Sequence, residues 1–404
     1  MKKILIFSLN YYPKFIGGAE VAIKEITDRL DSREYWFDMV TLRFDSTLPK
    51  IERIGNVTIH RIGFVKKDAT IADLRKFPLH FNKLYFQFAA ALKALSLHRQ
   101  NHYDGIWAMM AHSCAVPAAI FSLFYPKVPY LLTLQEGDPP EYIKRKMLSL
   151  YPLFSLGFTR ASFMQTISTF LARWGRDMGF KGPLEVVPNA VNTKHFSQDY
   201  PVSELEALKQ ELGKKPEDIY LITTSRLVHK NAVDDVIRSL PLLPEKVQFL
   251  VLGIGPDEKK LKELAQKKGV QSRVKFLGQV NHVEMPKYLK ISDIFIRPSR
   301  SEGMGNSFVE AFAAELPVIA TQEGGIADFL FDEKKNPDKM TTGWAVSKDS
   351  PKEIAVAVQD ILTRPEKVNE VARNAKELTI AKYDWNIIAK DMREKVFKPL
   401  LVSR

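Results

Sequence analysis

The sequence predicts an α/β protein made of two doubly wound, Rossmann-like domains that face a cleft. The chain has 404 residues, which is too long for one ordinary hydrophobic core, so two domains are expected. Short apolar runs alternate with helical patterns along the chain, which is typical of parallel sheets covered on both faces. The polar stretch NTKHFSQDYPVS (192–203) separates this alternation into two series. Together these observations predict one sheet in each half of the chain.

The first series predicts a domain over residues 1–190. It opens with the strand-like run KILIFSLN, and a helix follows over residues 19–30 with apolar residues at helical spacing. Further strands are predicted at FDMVTL, VTIHRIG, GIWAMM, PYLLTLQ, FMQTIS and EVVPNA. Residues 105–126 carry no charge and are numerous enough to cross a bilayer. Their prolines and polar residues favour a buried strand followed by a short helix instead.

The second series predicts a domain over residues 191–384. Its strands are expected at IYLITTS, VQFLVLG, VKFLGQV, DIFIRPS, LPVIAT and GWAV. The last segment, residues 385–404, contains the amphipathic helical run WNIIAKDMREKVFKPLL, which we expect to pack back on the first domain. Doubly wound sheets bind ligands at the carboxyl ends of their strands, so the cleft between the domains is the expected site.

Composition and charge narrow the class of protein. Hydrophobic residues at 45% and charged residues at 26% are typical of a soluble globular chain. A single cysteine, Cys114, excludes an internal disulfide, argues against a Cys-based zinc site and agrees with a reducing cytoplasm. The net charge of +12 favours an acidic partner. That partner is either a phosphorylated substrate or an anionic membrane surface, because residues 74–95 and 142–154 mix Lys and Arg with aromatic residues. No recognised nucleic-acid-binding motif is present, so no nucleic-acid partner is expected.

The run SRSEGMGNSFVEAF (299–312) is the most informative motif. A predicted strand leads into a loop around Gly303 and Gly305, and a helical pattern begins near Ser307. The first amides of a helix have no partner within it, so this geometry presents N–H groups to an anion. Glu302 and Glu310 flank the loop, and carboxylates beside a phosphate site suggest a ligand with hydroxyls as well as phosphate. A nucleotide sugar has both.

Cations and glycines follow other predicted strands. Arg226 and Lys230 come after IYLITTS, where two fixed cations would neutralise a diphosphate leaving group; the alternative is a pair of solvated loop cations. Gly253 ends VQFLVLG, and Gly17 and Gly18 precede the first helix. These glycines either let the backbone approach a ligand or simply form tight turns.

A third group of polar residues lies in the run QEGDPPEY. Gln135, Glu136 and Asp138 follow a predicted buried strand, where they would bind sugar or acceptor hydroxyls, although Asp138 before two prolines also suits a purely structural loop. No Asp-x-Asp motif occurs and the eight histidines lack metal-ligand spacing, so neither a metal nor a cofactor is expected. The motifs G-x-S-x-G, G-x-x-x-x-G-K-[ST] and G-x-G-x-x-G are absent as well, which argues against hydrolase, P-loop and dinucleotide-binding classes.

Taken together, these motifs resemble the family 4 retaining glycosyltransferases of the GT-B fold. The likeness covers nearly the whole chain and is most specific in the two glutamates eight residues apart, with Arg226 and Lys230 upstream. GGAE resembles the N-terminal glycine loop of the family, and VPNAVNTKHF its interdomain element. Two positions depart from the family pattern: Gln135 stands where a histidine is frequent, and Glu315 where a glycine is usual.

The resemblance also implies roles for individual residues. Glu310 would bind the ribose hydroxyls, Glu302 would face the sugar, and Val280 would lie against the base. Arg226 and Lys230 would hold the diphosphate, without a required metal. Sugar or phosphate would be contacted by the amides of Gly303, Met304, Gly305 and Asn306.

The resulting hypothesis is a hexosyltransferase that moves a sugar, with retention, from a nucleotide-diphosphate sugar to an acceptor hydroxyl. A UDP-sugar is preferred and a GDP-sugar is the alternative. The acceptor would be a carbohydrate or lipid-linked glycan of the cell envelope, reached from the cytoplasm at the membrane face. The sugar, the linkage and the oligomeric state stay open. Two alternatives also stay open: a phosphorylase or nucleotide-sugar epimerase on the same scaffold, and a non-catalytic basic protein that binds lipid or nucleic acid.

Overall fold

The computed structural model describes residues 1–402, apart from the side chains of residues 71 and 72. The chain divides into two compact units. Unit 1 consists of Met1–Asn189 together with the chain from Trp385 onward, and unit 2 is Ala190–Asp384. Each unit contains one largely parallel sheet with helices, which confirms the predicted fold class of two doubly wound, Rossmann-like domains.

The sheet of unit 1 has eight strands in the order β3-β4-β2-β1-β5-β6-β7-β8. Their bounds are β1 Lys2–Phe7, β2 Tyr35–Leu42, β3 Ile51–Ile54, β4 Val57–Ile62, β5 Gly105–Met109, β6 Tyr130–Leu134, β7 Phe163–Thr166 and β8 Leu184–Val186. Strand β3 pairs antiparallel with β4, and the other described neighbours are parallel. The sequence analysis missed β3. Its run IERI alternates charged with apolar residues on a partly exposed edge, so it lacks the apolar continuity of the inner strands.

The α-helices of unit 1 alternate with the strands of this sheet along the chain. They are α1 Gly18–Arg29, α2 Asn82–Asn101, α3 Ala111–Phe124, α4 Pro140–Lys146, α5 Tyr151–Thr159 and α6 Thr169–Asp177. The uncharged run at residues 105–126 forms β5 and α3, both largely buried, as the sequence predicted. Within the described part of the chain, no helix has the length and apolarity needed to cross a bilayer.

The sheet of unit 2 has six parallel strands in the order β11-β10-β9-β12-β13-β14. They are β9 Ile219–Thr224, β10 Val247–Leu252, β11 Val274–Gly278, β12 Ile294–Arg297, β13 Val318–Ala320 and β14 Trp344–Ala345. The helices are α7 Thr193–Ser197, α8 Val202–Glu211, α9 Val233–Ser239, α10 Glu258–Lys267, α11 Met285–Lys290, α12 Asn306–Ala313, α13 Pro351–Thr363 and α14 Pro365–Lys382. All six strands were predicted, because each begins in an apolar run; most of these runs are buried, whereas β11 is only partly buried.

The final helical segment belongs to unit 1. It consists of α15 (Trp385–Asp391), a π-helical stretch (Met392–Phe397) and α16 (Lys398–Val402). The ring of Phe397 lies 5.2 Å from that of Trp107 on β5 and 6.2 Å from that of Phe37 on β2. Residues from the end of the chain therefore help to form the core of the unit that its beginning builds.

Glu315, which departs from the family pattern, follows α12 with a left-handed backbone (φ +63°). The N–H of Leu316 returns to the carbonyl of Ala311 at 3.0 Å, which closes the helix end in the way that a glycine usually does. The helix end therefore keeps its usual form without glycine, and the Glu315 side chain pairs with Lys376 at 2.5 Å.

Candidate active site

The strand order of each sheet contains one point where successive connections change direction, and such points are the usual binding crevices of doubly wound sheets. In unit 2 this point lies between β9 and β12, which pair directly through Leu221 with Ile294 and Ile222 with Phe295. Arg226 and Lys230 follow β9, and the Glu302 loop follows β12. The topology therefore brings together, within unit 2, the two groups that the sequence analysis assigned to one nucleotide sugar.

A backbone hydrogen bond joins the two loops directly. The N–H of Arg300 donates to the carbonyl of Lys230 at 2.7 Å, and a guanidinium nitrogen of Arg300 donates to the carbonyl of His229 at 2.7 Å. The same guanidinium pairs with Asp234 and Asp235 at the start of α9, at 2.8 and 2.7 Å. Arg300 thus fixes the position of the Lys230 turn against the Glu302 loop.

The sequence analysis did not single out Arg300. Burial lowers its pKa, but hydrogen bonds to Asp234 and Asp349 outweigh burial and hold it above the ordinary value. The available signal was the adjacent acidic pair in VDDVI, because two neighbouring carboxylates repel each other and favour a nearby cation. Nothing in the sequence specified which cation.

The two predicted cations differ in exposure. The Arg226 side chain is exposed, while its carbonyl accepts hydrogen bonds from the Asn231 side chain at 2.6 Å and the Val228 amide at 2.9 Å. Lys230 is half-buried. The loop backbone is thus held independently of the Arg226 side chain, which leaves that side chain available to a ligand.

Gly253 has a clear structural reason to be glycine. A Cβ at this position would lie 1.9 Å from the carbonyl oxygen of Ser225, and its φ is +136°. The turn after β10 is therefore packed against the backbone of the Arg226 loop. This close approach supports the tight-turn alternative from the sequence, and contact between Gly253 and a donor stays a prediction.

Glu302 is held by a buried arginine that the sequence analysis missed. One Nη of Arg297 donates to Glu302 Oε2 at 2.7 Å, and the other donates to the Ser307 hydroxyl at 2.7 Å. The guanidinium also lies over the ring of Phe308, 4.2 Å from its centroid. Burial lowers the pKa of Arg297 below its ordinary value, against the opposing effects of Glu302 and Glu310. Arg297 therefore ties the end of β12 to the first turn of α12.

The rest of the Glu302 loop is equally constrained. Glu302 Oε1 accepts the N–H of Gly303 at 3.0 Å, and its backbone carbonyl accepts the N–H of Gly325 at 3.1 Å. Gly305 has φ +86°, and a Cβ there would lie 2.4 Å from Arg297. Met304 is buried and Asn306 begins α12. The loop is thus rigid, and both carboxylate oxygens of Glu302 are hydrogen-bonded within it.

Several polar atoms at the same strand ends are buried without a hydrogen-bond partner among the described residues. They are the hydroxyls of Thr223, Thr224, Ser225 and Ser299, and Nε of Arg297. Buried polar groups are normally paired, so such a concentration at the β9–β12 junction is typical of a site that receives a polar ligand.

Glu310 lies in the second turn of α12, beside the loop that follows β11. Nε2 of His282 lies 3.4 Å from its carboxylate, and the His282 ring stacks on His195 at 5.9 Å. Val280 is half-buried in this same loop, after the left-handed Gly278. The fold therefore places the loop that contains Val280 beside Glu310, through the contact with His282. His282 was not predicted, because 28 residues separate it from Glu310.

The change of direction in unit 1 lies between β1 and β5. After β1, Gly17 precedes α1, and its N–H donates to the Glu20 carboxylate at 3.0 Å, which is the half of a capping box that a glycine allows. Gly18 is the first residue of α1. The Gly17 amide thus already has an acceptor within the loop, and contact between these glycines and a donor stays a prediction.

Glu20 should make the stability of unit 1 depend on pH. Burial raises its carboxyl pKa from 4.5 to about 7, although hydrogen bonds from its own amide and that of Gly17 lower it. Because the folded-state pKa is the higher one, the unfolded chain ionises first, and stability is lost as the pH rises from 4.5 through 7. The loss is about 3 kcal/mol. Glu20→Gln keeps an acceptor for Gly17 and should remove this loss.

The measurement is urea unfolding of the wild type and Glu20→Gln at pH 5 and pH 8. The variant should lose less stability between these two pH values than the wild type does. Glu34→Gln, at an exposed position in the same unit, serves as the matched control and should behave like the wild type. A pH dependence that is the same in all three proteins would contradict the assignment of Glu20.

The polar residues after β6 form a compact group with the start of α3. Glu136 is fully buried, and its oxygens accept the amides of His112 at 3.2 Å and Gln135 at 3.0 Å. The amide group of Gln135 exchanges two hydrogen bonds of 3.1 Å with that of Asn189. Asp138 is half-buried. Glu136 therefore holds the loop in place, and contact of these residues with an acceptor stays a prediction.

No group of three or more His, Cys, Asp or Glu side chains within the described residues is arranged to hold a metal ion. Cys114, on α3, is buried as a free thiol. Burial and the nearby Glu136 raise its pKa well above the ordinary value, so the thiol is neutral at physiological pH.

Comparisons with known proteins agree with this architecture. The family model described as Glycosyltransferase Family 4 matches residues 16–195, and the model described as Glycosyl transferases group 1 matches residues 205–378. Anabaena HepE, solved in complex with UDP and glucose, superposes with a TM-score of 0.78 at 20% identity, over 98% of this chain and 100% of that one. This likeness shows the GT-B fold.

Relatives found by sequence similarity are also named as glycosyltransferases. An uncharacterized glycosyltransferase of Methanocaldococcus jannaschii is 23% identical over 404 aligned positions, covering 96% of both chains. The GDP-mannose-dependent alpha-(1-6)-phosphatidylinositol monomannoside mannosyltransferase of Mycobacterium tuberculosis is 30% identical over 229 positions, which are 54% of this chain and 57% of that protein. Because family models match both halves and the whole fold is shared, the chain belongs to the family 4 glycosyltransferases of the GT-B fold.

Proposed function

We propose that this glycosyltransferase moves a sugar from a nucleotide-diphosphate sugar to an acceptor hydroxyl with retention at the sugar carbon. The observation that carries the proposal is the Arg300–Lys230 hydrogen bond, which joins the loop of the two cations to the loop of Glu302 at the β9–β12 junction. Oppositely charged groups at this junction suit a ligand that combines a diphosphate with sugar hydroxyls. Membership of the family supports the same reaction.

In the proposed reaction, the bond between the sugar C1 and the diphosphate oxygen breaks, and a bond from C1 to the acceptor oxygen forms on the same face. Arg226 and Lys230 stabilise the charge that develops on the departing diphosphate. The acceptor proton passes to the leaving phosphate oxygen, so no separate protein base is required. Glu310 binds the ribose, Val280 lies against the base, and the reaction needs no metal.

We assign the donor first to a UDP-sugar and second to a GDP-sugar. The structural neighbour from Anabaena was solved with UDP and glucose, whereas the name of the mycobacterial relative specifies GDP-mannose. That relative also acts on a phosphatidylinositol mannoside, which supports a lipid-linked or envelope glycan as acceptor. Gln135 and Asp138 would meet the acceptor, the buried Glu136 would hold their loop in place, and the protein would work at the cytoplasmic face of the membrane.

Nucleotide binding and release test the proposal. UDP, or failing that GDP, should raise the thermal unfolding midpoint, and ADP should not. A donor that binds should then release its nucleotide only when an acceptor is supplied. Conversion of the donor without acceptor would identify an epimerase instead, and dependence on inorganic phosphate a phosphorylase. The absence of any shift with all three nucleotides would favour a non-catalytic binding protein.

A further inference from the structure

Helix α2 carries apolar side chains on two opposite faces. Phe86, Ala90 and Ala94 are buried in unit 1. On the other side, Leu84 and Leu92 are exposed by 56% and 67%. A surface helix of a globular domain normally carries polar residues there. Contiguous exposed apolar side chains indicate an interaction site.

The exposed stripe continues into the segments that precede α2. Phe81 is exposed, and its ring lies 6.3 Å from that of Phe77, which is 80% exposed. The ring of Phe64, after β4, lies 5.0 Å from that of Tyr85. We call this surface the aromatic rim; its members are Phe64, Phe77, Phe81, Leu84, Tyr85, Phe88 and Leu92.

The charges around the aromatic rim are mostly positive. Residues 64–93 contain six Lys or Arg and two Asp, a net charge of +4. The carboxylate of Asp73 accepts the N–H of Thr70 and forms an ion pair with Lys76 at 3.0 Å. The basic residues are Lys66, Lys67, Arg75, Lys76, Lys83 and Lys93. Exposed aromatic rings among cations are typical of a surface that enters the interface of an anionic bilayer.

Topology places the aromatic rim at the edge of the sheet where the candidate acceptor residues lie. Strand β4 runs parallel to β2 and β1, so the chain leaves it at the carboxyl edge, and α2 begins there before returning to β5. The side chain of Gln87, in the second turn of α2, donates to the carbonyl of Ser113 at the start of α3 at 3.2 Å. Gln135 and Glu136 follow β6 at this same edge.

A second basic and aromatic surface lies at that edge. Tyr142, Lys144, Arg145, Leu148 and Tyr151 line an open groove of about 670 Å³ with Glu141, between α4 and the start of α5. Lys146 lies over the ring of Tyr142, 4.4 Å from its centroid. Leu148 is 73% exposed. This groove and the aromatic rim thus lie on either side of the start of α3.

We propose that the carboxyl edge of unit 1 docks on an anionic membrane through the aromatic rim, with the groove at Tyr142 facing the same bilayer. Docking would bring a lipid-anchored acceptor to Gln135 and Asp138; this consequence rests on the proposed function. A second copy of the chain fits less well, because a two-fold interface would place each cluster of lysines against itself.

Vesicle co-sedimentation tests the membrane surface. The full chain should bind vesicles of phosphatidylcholine with phosphatidylglycerol, and bind phosphatidylcholine alone much more weakly. The triple variant Phe77→Ser, Phe81→Ser, Leu84→Ser should lower the ratio of bound to free protein about tenfold or more. Lys66→Gln, Lys67→Gln, Lys76→Gln should reduce the preference for phosphatidylglycerol.

The matched control is Leu123→Ser, Phe124→Ser. These residues are as exposed as the aromatic rim, but they lie at the end of α3 and therefore at the opposite edge of the sheet. The control should bind vesicles like the wild type. An equal loss in this control, or full binding by the rim variant, overturns the proposal. So does a rim variant that turns a dimer into a monomer while vesicle binding stays intact.

Nucleotide binding separates this proposal from the proposed function. The thermal shift with UDP or GDP should be unchanged in all of these variants, because none of them alters the β9–β12 junction. Vesicle binding without any nucleotide shift would refute the transferase proposal and leave the docking surface standing. A thermal shift with nucleotide in the absence of vesicle binding would refute the docking surface and leave the transferase proposal standing.

Discussion

We expect Arg226→Ala and Lys230→Ala each to lower kcat for sugar transfer about a hundredfold, which corresponds to about 3 kcal/mol of lost transition-state stabilisation. The reason is that each cation would meet charge that appears on the diphosphate only as the sugar departs. The Arg226 side chain is exposed, and its loop is held through the Arg226 carbonyl, which accepts the Asn231 side-chain amide and the Val228 N–H. Its removal should therefore leave the fold intact.

The measurement is kcat and KM for the donor, with circular dichroism to check folding. Arg226→Lys should recover part of the activity, because it restores the charge without the planar guanidinium. Lys259→Ala, an exposed cation on α10, is the matched control and should keep the wild-type rate. Wild-type turnover in both Arg226→Ala and Lys230→Ala would refute their assignment to the leaving group.

The second large effect is expected for Arg297→Met, which should destabilise unit 2 by about 3–5 kcal/mol, since it leaves the largely buried Glu302 carboxylate without its cation. Two anchors of the loop are lost together, the bonds to Glu302 and to Ser307. The amides from Gly303 to Asn306 would then no longer be held in one arrangement. We therefore expect weaker nucleotide binding as well as lower stability.

Hydrogen exchange of the amides in residues 190–384 would measure this loss within unit 2, and thermal shift with nucleotide would measure binding. Adding Glu302→Gln to Arg297→Met should recover part of the stability, because the uncompensated charge disappears, but not the nucleotide affinity. Arg364→Met, which breaks surface ion pairs with Glu333 and Asp360, is the control and should be nearly neutral. Equal stability of Arg297→Met and the control would contradict the role of Arg297.

Much of the fold follows from local pattern. The inner strands β9, β10 and β12 are mostly apolar runs, and this pattern does not depend on distant residues. Parallel strands end at one edge, so the meeting of the Lys230 loop with the Glu302 loop could also be predicted. The edge strand β3 could not be predicted, because its charged residues interrupt the apolar pattern that marks the inner strands.

Long-range pairing accounts for what the sequence did not reveal. In the sequence, Arg297 interrupts an apolar strand. Its partners are known only from the structure, in which Phe308 of α12 packs against its guanidinium. Likewise, the side chain of Gln135 is paired with Asn189, which lies 54 residues away. Local patterns do not identify such distant partners. Residue spacing predicts which face of a helix or strand a side chain occupies, but it does not predict which residue packs against that side chain.

The return of the chain to unit 1 has a consequence for biosynthesis. During translation, residues 1–189 are synthesised before the segment that begins at Trp385. Trp107 and Phe37 can therefore contact the ring of Phe397 only after unit 2 has been synthesised. The apolar residues of unit 1 that contact this segment therefore lack these partners while unit 2, nearly half of the chain, is synthesised. Unit 1 can therefore complete its core only after unit 2 has been synthesised.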